Sequence, residues 1–352
     1  MTTHIRIGDR EVGPGRPVYV IAEVSANHGG DYETAVRIVR GAAEAGADAV
    51  KLQTYTPDTI TIDSDAPAFR SGSGSLWEGT TLYELYGEAY MPWDWQPRLK
   101  AVADELGLDC FSSPFDPTAV DFLVAMDVPA FKIASFELID LPLIRAAAKT
   151  NRPLIMSTGM ATEGEVDEAV ETARAAGAVG IALLKASSAY PAPPESMNLR
   201  AIPAMAERWG VPVGLSDHTL GSTAAVAAVA LGASIVEKHI TASHADRTPD
   251  SAFSLDIEEF GAMVDAIRVT ERALGAAVVA PAPEEAESRR FRRSLFVVED
   301  VAAGEVLTAR NVRSIRPGDG LHTREYETVL GRRAARSIER GTPLAWDLID
   351  SD

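Results

Sequence analysis

Cysteine is almost missing from this sequence. Cys110 is the only one in 352 residues, so no disulfide can form within the chain and a reducing compartment suits it. The expectation for Cys110 is a small buried hydrophobe. Positive charge is also scarce: 33 lysines and arginines face 51 aspartates and glutamates, a formal net charge of -18. That balance excludes a general nucleic-acid or anionic-membrane binder, since both need a positive field. An anionic substrate must therefore be held by local cations. No apolar run reaches the roughly 18 residues of a membrane span, and the N-terminal decapeptide lacks a cationic start followed by an apolar stretch. The expected location is cytoplasmic. The remaining composition, 46% hydrophobic and 24% charged, is that of a globular protein and excludes wholesale disorder, collagen and coiled coil.

Short apolar segments rich in β-branched residues alternate with Ala-rich segments of helical period, as repeated βα units do. The expected strands are Val18 to Ser25, Ala49 to Thr54, Asp109 to Phe115, Ala130 to Ser135, Pro153 to Gly159, Ile181 to Ser188, Pro212 to His218 and Ser234 to Ile240. Helical spacing recurs over Tyr32 to Ala45, Arg98 to Leu106, Glu163 to Ala176 and Thr223 to Leu231. The fold class expected is α/β, a (β/α)8 TIM barrel over residues 1–280. A long insertion, Pro57 to Trp95, follows the second strand on the side where barrel loops carry function. An Ala/Pro/Glu-rich and then basic stretch, 281–293, is the expected linker, with Arg289, Arg290, Arg292 and Arg293 read as a solvated or interface patch. In residues 294–352, Val301, Gly304, Leu307 and Val312 recur at one offset as Ile338, Gly341, Leu344 and Ile349. Two such units imply a small β-rich domain.

A parallel barrel places its active site where the strands end, and alternate residues of a strand share a face. The expected strand ends carry Glu23 and Ser25, Lys51 and Gln53, Ser112 and Ser113, Lys132 and Ser135, Ser157, Ser187 and Ser188, Ser216 and His218, and Glu237 and His239. So many polar residues at the ends of apolar strands exceed what packing tolerates. An inward lysine must find an anion or lose its charge; Lys51 and Lys132 among serines describe a pocket for phosphate and a carboxylate. His218 and His239 end adjacent strands, within reach of one divalent ion, with manganese, magnesium or zinc suited to mixed N/O ligation. Lys238 has the opposite parity and is read as a structural ion pair facing the helices. Glu23 is either a structural partner of Lys51 or a group acting on substrate.

In this order these residues resemble the sialic acid synthase (nonulosonate synthase) family, whose members condense phosphoenolpyruvate with an N-acetylated sugar. The matching motifs are Ile21-Ala-Glu-Val-Ser-Ala-Asn-His-Gly-Gly30, Gly46-Ala-Asp-Ala-Val-Lys-Leu-Gln-Thr54, Ser113-Pro-Phe115, Phe131-Lys-Ile-Ala-Ser-Phe-Glu137, Ser157-Thr-Gly-Met160, Gly214-Leu-Ser-Asp-His218, Glu237-Lys-His239 and Ile315-Arg-Pro-Gly-Asp-Gly320. Departures occur at Gly29, where the family usually has Asn, and at Ser113, where many members have Thr. Leu82 to Tyr90 with Pro92-Trp93, Ser187 to Pro191 and Pro249 to Ser254 are most similar to the branch that makes pseudaminic acid.

The resemblance implies a barrel followed by an antifreeze-like (SAF) domain. It assigns Lys51, Gln53, Ser113, Lys132, Ser135, Ser157, Ser188 and Ser216 to phosphoenolpyruvate, and His218 and His239 to a divalent metal, manganese foremost, with magnesium or cobalt as alternatives. Glu23, Tyr190 and Asp250 fall to the sugar, and Glu137 sits beside the reacting carbons. Arg316 matches an arginine that one subunit inserts into its partner's barrel, which implies a domain-swapped homodimer. Sugars of the N-acetylmannosamine or legionaminic type are alternative substrates. Two other readings compete: a lysine aldolase with a Schiff base on Lys132 or Lys51, and a non-catalytic carbohydrate- or ice-binding protein.

Overall fold

The computed structural model describes residues 4–72 and 79–350. It opens with a hairpin of β1 (Ile5–Ile7) and β2 (Arg10–Val12), whose Ile5, Ile7 and Val12 are buried in the core. Eight parallel strands then close on themselves: β3 (Tyr19–Glu23), β4 (Ala49–Thr54), β5 (Asp109–Pro114), β6 (Phe131–Ile133), β7 (Leu154–Ser157), β8 (Ile181–Ala186), β9 (Val213–Asp217) and β10 (Ile235–His239), with β10 paired to β3. Each lies inside its expected segment. Several end earlier than expected, so Ser135 and Glu137 sit on a 3-10 turn (Ser135–Glu137) after β6, and Ser187, Ser188 and His218 lie just past their strands. Register places His239, Glu23 and Lys51 side by side across β10, β3 and β4, and Ser216 beside Glu237.

The crossover helices follow from their sequences. Helix Tyr32–Glu44 starts where Asp31 accepts a hydrogen bond from the Thr34 amide at 2.9 Å, and it buries Ala35, Ile38, Val39 and Ala42. Helix Glu163–Ala175 has a reciprocal Thr162/Glu165 cap and buries Val166, Ala169, Val170 and Ala173. Both stripes run at i, i+3, i+4, i+7, the period of one helix face. Among the described residues of the Pro57 to Trp95 insertion are two short α-helices, Pro57–Ile60 and Leu82–Ala89.

Contacts divide the chain into two units, Met1–Gly275 and Ala276–Asp352. In the second, β11 (Ser294–Val297) pairs antiparallel with β12 (Val312–Ile315). The sequence echo has a physical basis there. Val301 bridges Ile338, the six apolar echo positions are buried in one core, and Gly304 and Gly341 both take a left-handed backbone at φ 78° and 90°. Among the described residues no helix is long and apolar enough to cross a membrane.

Candidate active site

A cavity of about 360 Å³ opens at the C-terminal end of the barrel strands. Its floor is a cluster of four charges. Lys51 Nζ lies 2.7 Å from Glu23 and 3.8 Å from Glu237, and Lys132 Nζ lies 2.8 and 2.9 Å from the two Glu237 oxygens. None of the four is more than 4% exposed. Two ammoniums and two carboxylates cancel, which is how inward lysines persist in a barrel core. Ser216 donates to Glu237 at 3.0 Å, Lys51 donates to Ser113 at 3.3 Å, and Gln53 donates to both Glu23 and Ser25 at 2.9 Å. Glu237, assigned no role from sequence, is therefore the counter-ion of both lysines; its two-residue spacing from His239 was the available signal.

The charges are not equally firm. Burial raises Glu237 but the two lysines outweigh it, so its pKa falls. Glu23 faces one lysine and the Glu237 charge, and burial leaves its pKa raised. Burial lowers Lys132 to about 8 despite Glu237, while the two carboxylates raise Lys51 against its own burial. Glu137 sits apart from the ion pairs. Burial, with Asp140 nearby, lifts it to about 7, and its Oε2 is buried without a hydrogen-bond partner.

One wall is a serine cradle. A Cβ on Gly159 would meet Ser188 Oγ at 2.3 Å and Ser135 Oγ at 2.7 Å, so only glycine permits this approach. The Gly159 amide donates to Ser135 Oγ at 3.1 Å, and Ser157 Oγ is buried with no partner. Close to the cradle, the Tyr190 ring packs 4.5 Å from the His218 ring.

The neighbouring strand ends, after β9 and on β10, hold the histidines. His218 and His239 ring centroids are 5.5 Å apart, and Phe253 packs against both. His218 Nδ1 bonds the Ser187 carbonyl at 2.8 Å, which fixes the tautomer and leaves Nε2 as the lone-pair nitrogen. Burial lowers the pKa of each histidine, so both stay neutral. Asp250 accepts from Ser25 and stands 3.9 Å from His239 Nδ1. On the other face of the same strands, Lys238 pairs with Asp217 at 2.9 Å, both completely buried, and donates to the Thr219 carbonyl. Cys110 is buried, its thiol pushed by burial up to about 12.

Residues 38–279 match the model of the NeuB family, and residues 292–350 match that of the SAF domain. The chain belongs to the NeuB family. The pseudaminic acid synthase of Campylobacter jejuni is 44% identical over 94% of this chain and 96% of its own. The N,N'-diacetyllegionaminic acid synthase of Legionella pneumophila is 33% identical over 98% of each. Among solved structures, the spore coat polysaccharide biosynthesis protein SpsE of Bacillus subtilis covers 99% of both chains at 34% identity, with a TM-score of 0.67.

Within this NeuB-family chain, the barrel gathers Glu23, Lys51, Gln53, Lys132, Ser135, Glu137, Ser157, Tyr190, Ser216, His218, His239 and Asp250 around one cavity. Ser113 and Ser188 reach it through Lys51 and the Gly159 cradle. Arg316 lies in the second unit, exposed just before Pro317. What sequence reasoning missed, besides Glu237, is an apolar collar of Tyr55, Leu85, Tyr86 and Phe115 on the cavity. A second His/carboxylate group, His244 with Asp256 and Glu259, brings its ligand atoms within 4.8 Å. It lies at the start of helix Ile257–Leu274, where Asp256 and Glu259 form the helix cap.

Proposed function

We propose that the chain catalyses the pseudaminic acid synthase reaction, a carbon-carbon bond-forming transfer. Phosphoenolpyruvate, 2,4-diacetamido-2,4,6-trideoxy-L-altrose and water give pseudaminic acid and phosphate. The observation that carries the reading is the meeting, in one cavity, of two buried lysines, a serine cradle closed by Gly159 and a neutral histidine pair. The greater identity to a pseudaminic than to a legionaminic synthase supports the choice of sugar.

In this reading Lys51, Gln53, Ser113, Lys132, Ser135, Ser157, Ser188 and Ser216 hold phosphoenolpyruvate, the lysines turning from their carboxylates toward the incoming anion. The unpartnered Ser157 hydroxyl suits a phosphate oxygen. His218 and His239 hold a divalent cation, manganese foremost. Their fit rests on the available His218 nitrogen, on neutrality imposed by burial, and on His239 Nδ1 lacking a hydrogen-bond partner beside Asp250. A cation bound there supplies Lewis-acid polarisation of an aldehyde oxygen. Glu23, Tyr190 and Asp250 position the open-chain sugar. C3 of phosphoenolpyruvate bonds to the aldehyde carbon, whose oxygen takes a proton. Water bonds to C2 and yields its protons, and the C2–O bond to phosphate breaks. Glu137, with a pKa near 7, serves to take a proton from that water, and Glu23 to exchange one with the sugar.

Phe136, Ile139, Met160 and Leu220, between 58 and 66% exposed, sit on the loops after β6, β7 and β9. That apolar rim supports a homodimer in which the SAF domain of one subunit covers the other's barrel mouth and brings Arg316 to the sugar. A reaction on phosphoenolpyruvate also fits a cytoplasmic location. The test is phosphate release from phosphoenolpyruvate by the purified protein, before and after chelation. Release that needs both a sugar and added manganese supports the reading; release without sugar, or none with any sugar, overturns it.

A further inference from the structure

Beyond the polar floor, the cavity changes character. Lys51, Gln53 and Tyr55 share one side of β4 and its extension, so at about 3.3 Å per residue Tyr55 stands roughly 13 Å beyond Lys51 along the strand direction, toward the barrel mouth. Around it, the Tyr86 and Phe115 rings meet Tyr55 edge-on at 5.7 and 5.1 Å. Leu85 and Ala89 from helix Leu82–Ala89 and Ile60 from helix Pro57–Ile60 complete the collar. The collar is built, since Thr81 and Glu84 cap the longer helix reciprocally, Tyr83 donates to Asp58 at 3.1 Å, and Trp93 donates to the Tyr55 carbonyl at 3.0 Å. Leu85, Ala89, Ile60 and Phe115 offer no polar side-chain atom.

Resting on the reaction proposed above, we infer that this collar is the specificity wall for the deoxygenated end of the sugar, with Leu85 and Ala89 receiving its C6 methyl. An open-chain hexose whose aldehyde carbon meets phosphoenolpyruvate above the floor extends its sixth carbon farthest outward, toward the collar. Packed on Leu85 and Ala89, an acetamido group would find no partner for its carbonyl or amide on those two side chains, whereas a methyl needs none. A C6 hydroxyl is disfavoured for the same reason. Because an apolar wall rejects an added hydroxyl only moderately, the expected preference is about 10–100-fold in kcat/KM.

The experiment compares the diacetamido-trideoxy-altrose with its 6-hydroxy counterpart, by phosphate release, in the parent, Leu85→Asn and Ala89→Ser. The second variant is a mild helix-surface change that guards against misfolding of the first. The inference expects the parent to prefer the 6-deoxy sugar by ~10-fold or more. It also expects the substitutions to narrow that ratio several-fold while KM for phosphoenolpyruvate stays within twofold. Equal kcat/KM for the two sugars in the parent, or equal losses on both in the variants, overturns the specificity wall and leaves the reaction standing. Absence of release with either sugar overturns the reaction and the wall together.

Discussion

Replacing Glu237 with Gln removes the one carboxylate that faces both interior lysines. Its charge lies 2.8 Å from Lys132 and 3.8 Å from Lys51, and all three side chains are buried. The floor then carries a net positive charge in a buried setting, a change that typically costs about 3–5 kcal/mol. At about 2–4 °C per kcal/mol for a domain of this size, the melting temperature should fall by roughly 6–20 °C. The pH dependence follows from Lys132. Burial already holds its folded pKa at about 8, below the ordinary lysine value, despite Glu237; loss of Glu237 lowers it further. A lysine depressed in the folded state weakens folding most when it is forced to be charged, so the deficit of Glu237→Gln is largest in mild acid and fades as pH rises toward about 8, where the parent's Lys132 loses its proton too. Inorganic phosphate, an alternative counter-ion, should raise the melting temperature of the variant more than that of the parent. The assay is thermal unfolding at pH values on both sides of 8, with and without phosphate. A variant that melts within about 2 °C of the parent at every pH, with no extra response to phosphate, would refute the coupled-charge reasoning.

Other outcomes follow from the same geometry. A proton-accepting Glu137 with a pKa of about 7 gives a rate that rises as pH increases through neutrality. In Glu137→Gln turnover should fall by about 10²–10⁴-fold and lose that limb, whereas Glu23→Gln should chiefly raise KM for the sugar. Borohydride added during turnover should trap no adduct on Lys132 or Lys51, because each is paired with a carboxylate in the free protein and with the anionic groups of phosphoenolpyruvate in the proposed complex; a trapped lysine would favour the Schiff-base reading. Arg316→Ala and His239→Ala proteins should each be nearly inactive alone and regain activity on mixing if subunits exchange. Mixing without recovery, in dimers demonstrated to exchange, contradicts an arginine supplied in trans.

The barrel was legible because period and strand-end chemistry agree. All eight strands lie within the segments marked by β-branched runs, and the two-residue spacing of Lys51 with Gln53, and of Glu237 with His239, correctly put each pair on the cavity side. The same parity placed Lys238 on the other face, where it meets Asp217. What sequence does not carry is which inward charge meets which. Glu237 and Lys132 are 105 residues apart, and only closure of the barrel joins them. The collar was hidden for a related reason. Tyr55 and Phe115 follow two different strands and Tyr86 sits on helix Leu82–Ala89 of the insertion, so their convergence depends on how the insertion folds back. Strand ends were overrun by one or two residues at Ser135, Ser188 and His218, since polar residues at a barrel mouth continue the inward pattern after the backbone ladder has stopped.

The most direct test of the central claim is kcat/KM for three sugars measured separately with phosphoenolpyruvate and manganese, each product identified as a nine-carbon 2-keto acid. The sugars are the diacetamido-trideoxy-altrose, its legionaminic-type stereoisomer and N-acetylmannosamine. The account predicts that the altrose-derived sugar is turned over to pseudaminic acid at least about 10-fold more efficiently than either alternative. Faster turnover of one of the other two, or phosphate release with no carbon-carbon bond formed, would contradict it.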